Sequence, residues 1–531
     1  MVQKLVKVLD TTLRDGAQAG RISFSLEDKI KITLALDELG VDYIEAGWPG
    51  SNPKDFEFFK AIKNYGLSYA KIAAFGSTRR KKVKVYEDKN IDYILESDVE
   101  VAVIFGKSCK SHVHDVLRTS TEENLEMIYD TVAYLRSHGL EVIFDAEHFY
   151  QGFKEDPEYT LNVVQTAIEA GANVVVLCDT KGDTLPWEVY DITKNVVSKV
   201  KADVGVHMHN DIGCATANTL MGVAGGAKHI QVTINGVGER TGNADLTQVV
   251  PTLFYKMGIH VLKGGESIKK LRGISRLVYE ILSIDPNPYQ PYVGNFAFAH
   301  KAGVHVDAIL KNPSTYEHID PELVGNSRKI LLSDQSGGAN IVANLKDLGL
   351  QVDKRDPRVR SALTKIKDLE NQGYSFDQAP DSALLVTLKE LGYLGEELKP
   401  YSWRLHVEPS GLAVAEVGVK SISASSMDVN VLEALSKALS IVVSELYPFL
   451  PSIRVSRCYS VMLSQGIFRV TVEVETSFRR LFVQGVSNNM LDAYMRSLVD
   501  AYELLLALHR GNLIQRIFIR STGLEGMVVH K

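Results

Sequence analysis

Cysteine is scarce: four residues in 531, at Cys109, Cys178, Cys214 and Cys458, with no CxxC spacing among them. That pattern excludes a secreted disulfide scaffold and fits a reducing cytoplasm. Long hydrophobic runs are also missing. No stretch approaches the roughly 18 apolar residues of a membrane span, and the opening Met-Val-Gln-Lys-Leu-Val-Lys-Val-Leu-Asp has no apolar run of signal-peptide length. A soluble, intracellular protein without a membrane partner is expected. Charge of one sign does not dominate either: 59 basic and 65 acidic residues leave a formal charge of −6. No basic domain stands out to grip a phosphodiester backbone, so nucleic acid is not expected as a partner. The longest basic cluster, Arg79-Arg80-Lys81-Lys82 with Lys84, reads as a solvated helix face that could help steer an anionic substrate. An early glycine-rich phosphate turn is absent as well. The first turn reads Thr11-Thr12-Leu13-Arg14-Asp15-Gly16-Ala17-Gln18, which disfavours a doubly wound open sheet.

What is present is a soluble composition, 45% hydrophobic and 23% charged, on a chain long enough for two to four domains. Val- and Ile-rich runs alternate with amphipathic segments, as parallel strands alternate with covering helices. Eight such runs begin near Leu5, Asp42, Tyr69, Val99, Glu141, Asn173, Asp203 and His229. Helices are expected after them at 26–39, 53–64, 78–90, 121–138, 158–170, 186–200, 213–226 and 245–257. Eight units of this length predict an α/β fold of the TIM (β/α)8 barrel type over residues 1–265. A mostly helical accessory region is expected over 266–385, with hinges near 374–383 and at Lys399-Pro400. Residues 400–531 read as a C-terminal α/β domain of two ββα units, with strands 402–409 and 413–423 before helix 428–446, and strands 453–464 and 467–483 before helix 487–508. A further strand and a loose tail are expected over 512–531.

The chemistry gathers at predicted strand ends. In Val206-His207-Met208-His209-Asn210-Asp211 the two imidazoles are two residues apart on a strand, so both face one side, at the barrel mouth where active sites of this fold are built. Asp15 lies just beyond the first strand, which only the eighth separates from the seventh. Two imidazoles, a carboxylate and open positions suit one divalent ion, Zn, Mn or Mg, acting as a Lewis acid. Asp10 is an alternative ligand that falls earlier in the strand. Arg14 offers a donor for a developing oxyanion. In Asn235-Gly236-Val237-Gly238-Glu239-Arg240-Thr241-Gly242-Asn243-Ala244 the glycines permit close backbone approach, and Asn243 could add a neutral oxygen ligand; a tight turn with no ligand is the alternative. Glu147 and Thr180 fall on the same rim, as functional groups or as ordinary helix-start residues.

The combination DTTLRDGAQ, HMHND and GVGERTGNA resembles the 2-isopropylmalate, homocitrate and citramalate synthases, the acyl-CoA-condensing branch of the DRE-TIM metallolyases. The resemblance runs over nearly the whole chain. Within that branch EAGWPGSNPKD, RISFSLEDKI and FDAEHFYQGF are most similar to the citramalate synthase group. It implies condensation of acetyl-CoA with pyruvate to (R)-citramalate and free CoA. By the same resemblance the metal is held by Asp15, His207, His209 and Asn243, Arg14 polarises the ketone, Thr180 bonds the carboxylate, and Glu147 orients the proton abstraction. His305 and Tyr316 look like the residues that this branch carries from its accessory domain into a partner's barrel, implying a homodimer with composite active sites. The C-terminal domain resembles the branch's regulatory and dimerisation domain, with isoleucine as the implied effector. Two departures stand out: Ser421–Asn430 replaces a glycine-rich turn before the first regulatory helix, and Asp179-Thr180-Lys181-Gly182-Asp183 replaces the usual DTNGG.

Three rivals remain at this level. A 2-isopropylmalate synthase would need a larger pocket, and the bulk expected around Phe75, Phe105 and Phe144 favours pyruvate; a few side chains can switch such a preference. A catalytically silent amino-acid sensor is disfavoured by the intact Arg14, Asp15, Glu147, His207, His209 and His305. A metal-dependent lyase on the same barrel would be shorter and lack the C-terminal domain.

Overall fold

A computed structural model describes residues 6–513, so the strand and tail expected over 512–531 lie almost wholly outside the described residues. Contacts divide the chain into two units. One comprises the residues up to Phe298 together with Ile319–Ser327, and the other Ala299–His318 together with the chain from Arg328 onward.

The first unit is built on eight parallel strands that close into a barrel in sequence order: β1 (Lys7–Asp10), β2 (Tyr43–Gly47), β3 (Lys71–Ser77), β4 (Val101–Lys107), β5 (Glu141–Glu147), β6 (Val174–Asp179), β7 (Asp203–Met208) and β8 (His229–Val232). β8 returns to β1 with Leu9 opposite Gln231, which completes the ring and makes β1 and β7 neighbours across a single strand. Side-chain alternation sorts the Val and Ile residues into two cores. Leu9, Ala73, Phe75, Val103, Ile143 and Val176 fill the interior, while Val8, Ile44, Ala74, Ile104, Phe144 and Val206 pack outward against the helices. Phe144 therefore faces away from the interior, against the expectation that it lines the substrate pocket; two residues of one strand with opposite parity cannot share a face.

Seven of the eight covering helices lie close to their expected positions, and local chemistry explains their limits. Leu26–Leu39 begins in a reciprocal capping box between Ser25 and Asp28 and ends at Gly40, whose φ of 87° suits a residue without Cβ. Pro157–Glu169 opens with proline after an Asp156 cap. The third helix is the exception: it spans Lys89–Glu96 instead of 78–90. The basic cluster is a loop, not a solvated helix face. Arg79 is buried and paired with Glu123 and Asp130, and Lys82 adopts a φ of 60°, so the chain cannot wind into a helix there.

The second unit has its own core. Helices Gly338–Asp347, Pro357–Asn371 and Pro380–Glu390 share that core with two three-stranded antiparallel sheets. The first sheet is β9 (Tyr401–Val407), β10 (Ala413–Val419) and β11 (Ile422–Asp428), followed by helix Val431–Leu446; the second is β12 (Arg454–Met462), β13 (Phe468–Glu475) and β14 (Arg480–Ser487), followed by helix Met490–Arg510. The internal repeat is thus βββα, one strand per half more than expected. Segment 413–423 is broken by a two-residue turn at Lys420-Ser421, with Lys420 at φ 56°. Ser421–Asn430, taken as an altered turn, is mostly strand β11. The hinges expected near 374–383 and Lys399-Pro400 are not loose linkers: Phe376 and Leu398 are buried, Asp381 pairs with Arg479, and the Leu398 N–H donates to Glu503. The expected boundaries at 265 and 385 accordingly do not coincide with the division into two units.

Candidate functional site

Asp15, His207 and His209 are all buried at the barrel mouth and bring one ligand atom each to within 4.8 Å of one another. His207 Nε2 lies 3.3 Å from His209 Nε2 and 3.4 Å from Asp15 Oδ2, and His209 Nε2 lies 3.8 Å from the same oxygen. The strand period supplies the pair of imidazoles. A tight turn after β1 supplies the carboxylate, because the N–H groups of Arg14, Asp15 and Gly16 all donate to the Thr11 carbonyl. Donor atoms about 2.0 to 2.2 Å from a zinc-like ion stand roughly 3 to 3.5 Å apart, so the spacing fits one divalent ion. Asp10 is not among the three converging groups, and its carboxylate accepts from the N–H and hydroxyl of Thr12.

Asn243 faces the same point. Its Nδ2 lies 3.3 Å from Asp15 Oδ2 and 3.2 Å from His207 Nε2, while its buried Oδ1 has no partner among the described residues. A half-turn of the amide exchanges the two atoms, and a carbonyl oxygen then faces the Asp15 carboxylate and the His207 imidazole, an arrangement that a cation among them makes favourable. The glycines expected to permit this approach do so. A Cβ on Gly238 would sit 1.7 Å from Asn243 Oδ1, and one on Gly242, at φ 97°, would sit 2.0 Å from the Gly236 carbonyl oxygen.

Electrostatics set the three groups differently. Burial works to raise the Asp15 carboxyl, but Arg14, His207 and His209 outweigh it and hold it well below the usual carboxylate range. Burial and the neighbouring His207 push His209 down to about 4, leaving a neutral imidazole. His207 shifts upward: burial disfavours its charge, but the Asp15 carboxylate favours it more strongly.

Arg14 is fixed from three sides. Its Nε donates to Glu45 Oε2 at 2.5 Å, its Nη1 lies 3.3 Å from Asp15 Oδ2, and its guanidinium stacks 3.9 Å above the Phe75 ring. Phe75 in turn stacks on Phe105, and Trp48 meets both rings edge-on. At the rim Glu147 pairs with Lys107. Thr180 Oγ1 accepts from the His148 N–H, and the Thr180 carbonyl accepts from Arg240, which grips Asp211 with two nitrogens. The HND and GERTG segments are thereby tied together.

His305 and Tyr316 belong to the second unit, where both are exposed and their rings lie 4.3 Å apart between centroids. The structure thus brings Arg14, Asp15, His207, His209 and Asn243 together, sets Glu147 and Thr180 on the rim, and pairs His305 with Tyr316 separately. Four residues at the site are absent from the sequence-based expectation: Glu45, Lys107, Asp145 and Gln231. Burial lifts the Asp145 carboxyl to about 7, with Glu45 adding to the rise. Strand parity is the signal that could have found them, because each lies an even number of residues from an interior position on its own strand.

Comparison with known proteins matches residues 5–278 to the HMGL-like family and residues 292–374 to the family described as homocitrate synthase post-HMGL domain-like. The chain is 54% identical over 512 residues to the (R)-citramalate synthase of Sulfolobus acidocaldarius, covering 95% of this chain and 98% of that one. It is 44% identical over 516 residues to the (R)-citramalate synthase of Geobacter sulfurreducens, covering 94% and 98%. The 2-isopropylmalate synthase of Sulfurisphaera tokodaii is more distant, at 38% over 394 residues, which covers 97% of that protein but 73% of this chain.

Proposed function

The chain belongs to the HMGL-like family and, within it, to the citramalate synthases, and from that premise we propose that it condenses acetyl-CoA with pyruvate and water to give (R)-citramalate and CoA. The observation that carries this reading is the convergence of Asp15, His207 and His209 beside an immobilised Arg14. A divalent ion held by those three residues, with Asn243 as a fourth, would supply a Lewis acid for the 2-oxo acid. Arg14, with Nε and Nη1 engaged by carboxylates, directs its remaining N–H groups to the ketone oxygen and stabilises the alkoxide that forms there. Thr180, whose oxygen already accepts from His148, donates its own proton to the substrate carboxylate. Glu147, steadied by Lys107, orients the step in which a base takes a proton from the acetyl-CoA methyl group, and the conjugate acid of that base later returns the proton to the alkoxide. The methyl carbon then bonds to the ketone carbon, the alkoxide takes up a proton, and water cleaves the thioester to release CoA.

The Phe75, Phe105 and Trp48 rings beside Arg14 leave a methyl substituent better accommodated than an isopropyl group. His305 and Tyr316, exposed and in tilted ring contact with each other, act in the barrel of a second protomer, so the active assembly is a homodimer. The paired βββα repeats form the regulatory module, with isoleucine as effector and isoleucine synthesis in the cytoplasm as the setting. None of the four cysteines forms a disulfide, and no described helix is long and apolar enough to cross a membrane, which agrees with that setting.

Thiol release with acetyl-CoA and a divalent metal tests the reaction. Pyruvate should be turned over fastest among pyruvate, 2-oxoisovalerate, glyoxylate and 2-oxoglutarate, and isoleucine should slow that rate; preference for 2-oxoisovalerate overturns the substrate. Mixing inactive Asp15→Asn protomers with inactive His305→Ala protomers tests the shared site. Activity should return in the mixture, because one barrel of each mixed dimer then has both groups intact, and a mixture as inactive as its components overturns the composite site.

A further inference from the structure

The two imidazoles of the cluster are held differently. His207 Nδ1 lies 2.8 Å from Gln231 Oε1, and Gln231 Nε2 donates to Asp145 Oδ1 at 2.8 Å. His209 Nδ1 is buried with no hydrogen-bond partner among the described residues. Gln231 sits directly opposite His207 in the β7–β8 register, Asp145 reaches in from β5, and all three side chains are buried. An imidazole that binds a cation through Nε2 carries its proton on Nδ1 and needs an acceptor there. Gln231 offers one only while its amide oxygen faces His207. Gln231 Nε2 donates to Asp145 Oδ1, and the reversed amide would give up that bond and turn a carbonyl oxygen toward the same oxygen.

We infer that Gln231 and Asp145 are positioning residues, a buried relay that orients His207 and fixes its tautomer so that Nε2 faces the ion, whereas His209 is oriented by the ion itself. This rests on reading Asp15, His207 and His209 as a metal site. The relay also ties the ligand on β7 to the strand that carries Glu147, since Asp145 and Glu147 share one face of β5. Partners of this kind hold a ligand ring in place and raise its basicity, and their loss costs about 10- to 100-fold in metal affinity.

Zinc titration against a chromophoric chelator, on the full-length protein freed of metal, tests it. Gln231→Leu should raise the Zn²⁺ dissociation constant about 10- to 100-fold, with circular dichroism and unfolding midpoint close to wild type. In turnover assays saturated with metal, KM for the 2-oxo acid should change less than the metal requirement does. The exchange Asp145→Asn with Gln231→Glu keeps an acceptor for His207 Nδ1 and a hydrogen bond between positions 145 and 231, and should restore affinity to within a few fold of wild type. A folded Gln231→Leu protein that binds Zn²⁺ as the wild type does overturns the relay, as does a folded exchange variant no tighter than Gln231→Leu. Where Gln231→Leu does not fold, the exchange decides alone: near-wild-type affinity supports the relay, and lost affinity overturns it. Wild-type protein that takes up no Zn²⁺ overturns the metal reading itself, which separates the two failures.

Discussion

At the floor of the barrel, Tyr43 donates its hydroxyl proton to Glu141 and accepts one from Lys7, while Lys71 donates to the other Glu141 oxygen. Among these four side chains donors meet acceptors, and Lys71 meets the opposite charge of Glu141. At the mouth the buried polar atoms are set like against like: two imidazole nitrogens 3.3 Å apart, beside a carboxylate, with an amide oxygen left over. The same strand alternation delivers polar side chains to both ends of one closed barrel. A floor that balances internally adds rigidity, and a mouth that balances only around a cation is built for a ligand. Burial alone does not mark the site; the convergence of one carboxylate and two imidazoles on one point does.

The largest effect should come from breaking the mouth. His207→Ala and His209→Ala should each lose the bound metal and roughly 10³-fold in turnover, about 4 kcal/mol of transition-state stabilisation, while the fold persists. Metal analysis beside thiol release reads both, and full activity in either variant removes that histidine from the site. A floor substitution of similar size should leave metal content unchanged.

Much of this contrast can be read from the sequence. The eight Val- and Ile-rich runs reveal the strands because a parallel barrel buries both faces of each, and HxH at strand period places two ligands on one side. The aspartate follows from barrel closure. Other features have no local signature. Arg79 reads as a surface charge because its partners Glu123 and Asp130 lie more than forty residues away. The Lys420-Ser421 turn lacks the glycine or asparagine that marks a two-residue hairpin, so the strand expected over 413–423 runs through it and the rest of β11 reads as a turn. Gln231 shares interior parity with His229, but an amide carries no charge to attract notice. Phe144 shows the converse error: bulk and proximity in sequence suggest a pocket residue, and parity sends it into the outer core.

A middle-sized effect should come from the floor. Tyr43→Phe removes the hydroxyl that joins Lys7 to Glu141, leaving Glu141 with Lys71. Two hydrogen bonds of partly buried groups are lost, and stability should fall by about 1 to 3 kcal/mol with kcat unchanged. Denaturant midpoints beside turnover rates check it; a change in kcat without a change in midpoint would erase the distinction between floor and mouth.

The smallest effect at neutral pH, and the sharpest test of the comparison, belongs to His229. It is fully buried at the floor with neither ring nitrogen hydrogen-bonded among the described residues, and burial, aided by Lys7, lowers its pKa from 6.5 to about 3. The unfolded chain therefore binds this proton between pH 6.5 and 3 while the folded chain does not. Stability from the neutral ring is complete above pH 6.5 and is lost as pH falls toward 3, at up to about 1.4 kcal/mol per pH unit. Other groups oppose this trend. Asp10, raised by burial to about 7, takes up its proton in the folded state first, so the wild-type profile alone is uninformative. The difference from His229→Leu isolates the ring. At pH 7.5 the variant should lie within about 1.5 kcal/mol of wild type, because an unpartnered imidazole is replaced by an apolar group of similar volume. Between pH 6 and 4 the variant should become progressively the more stable of the two, with metal content and turnover at neutral pH unaltered. Parallel stability profiles would show that His229 keeps an ordinary pKa in the folded protein, and the floor would then hold no group that burial keeps uncharged without a partner.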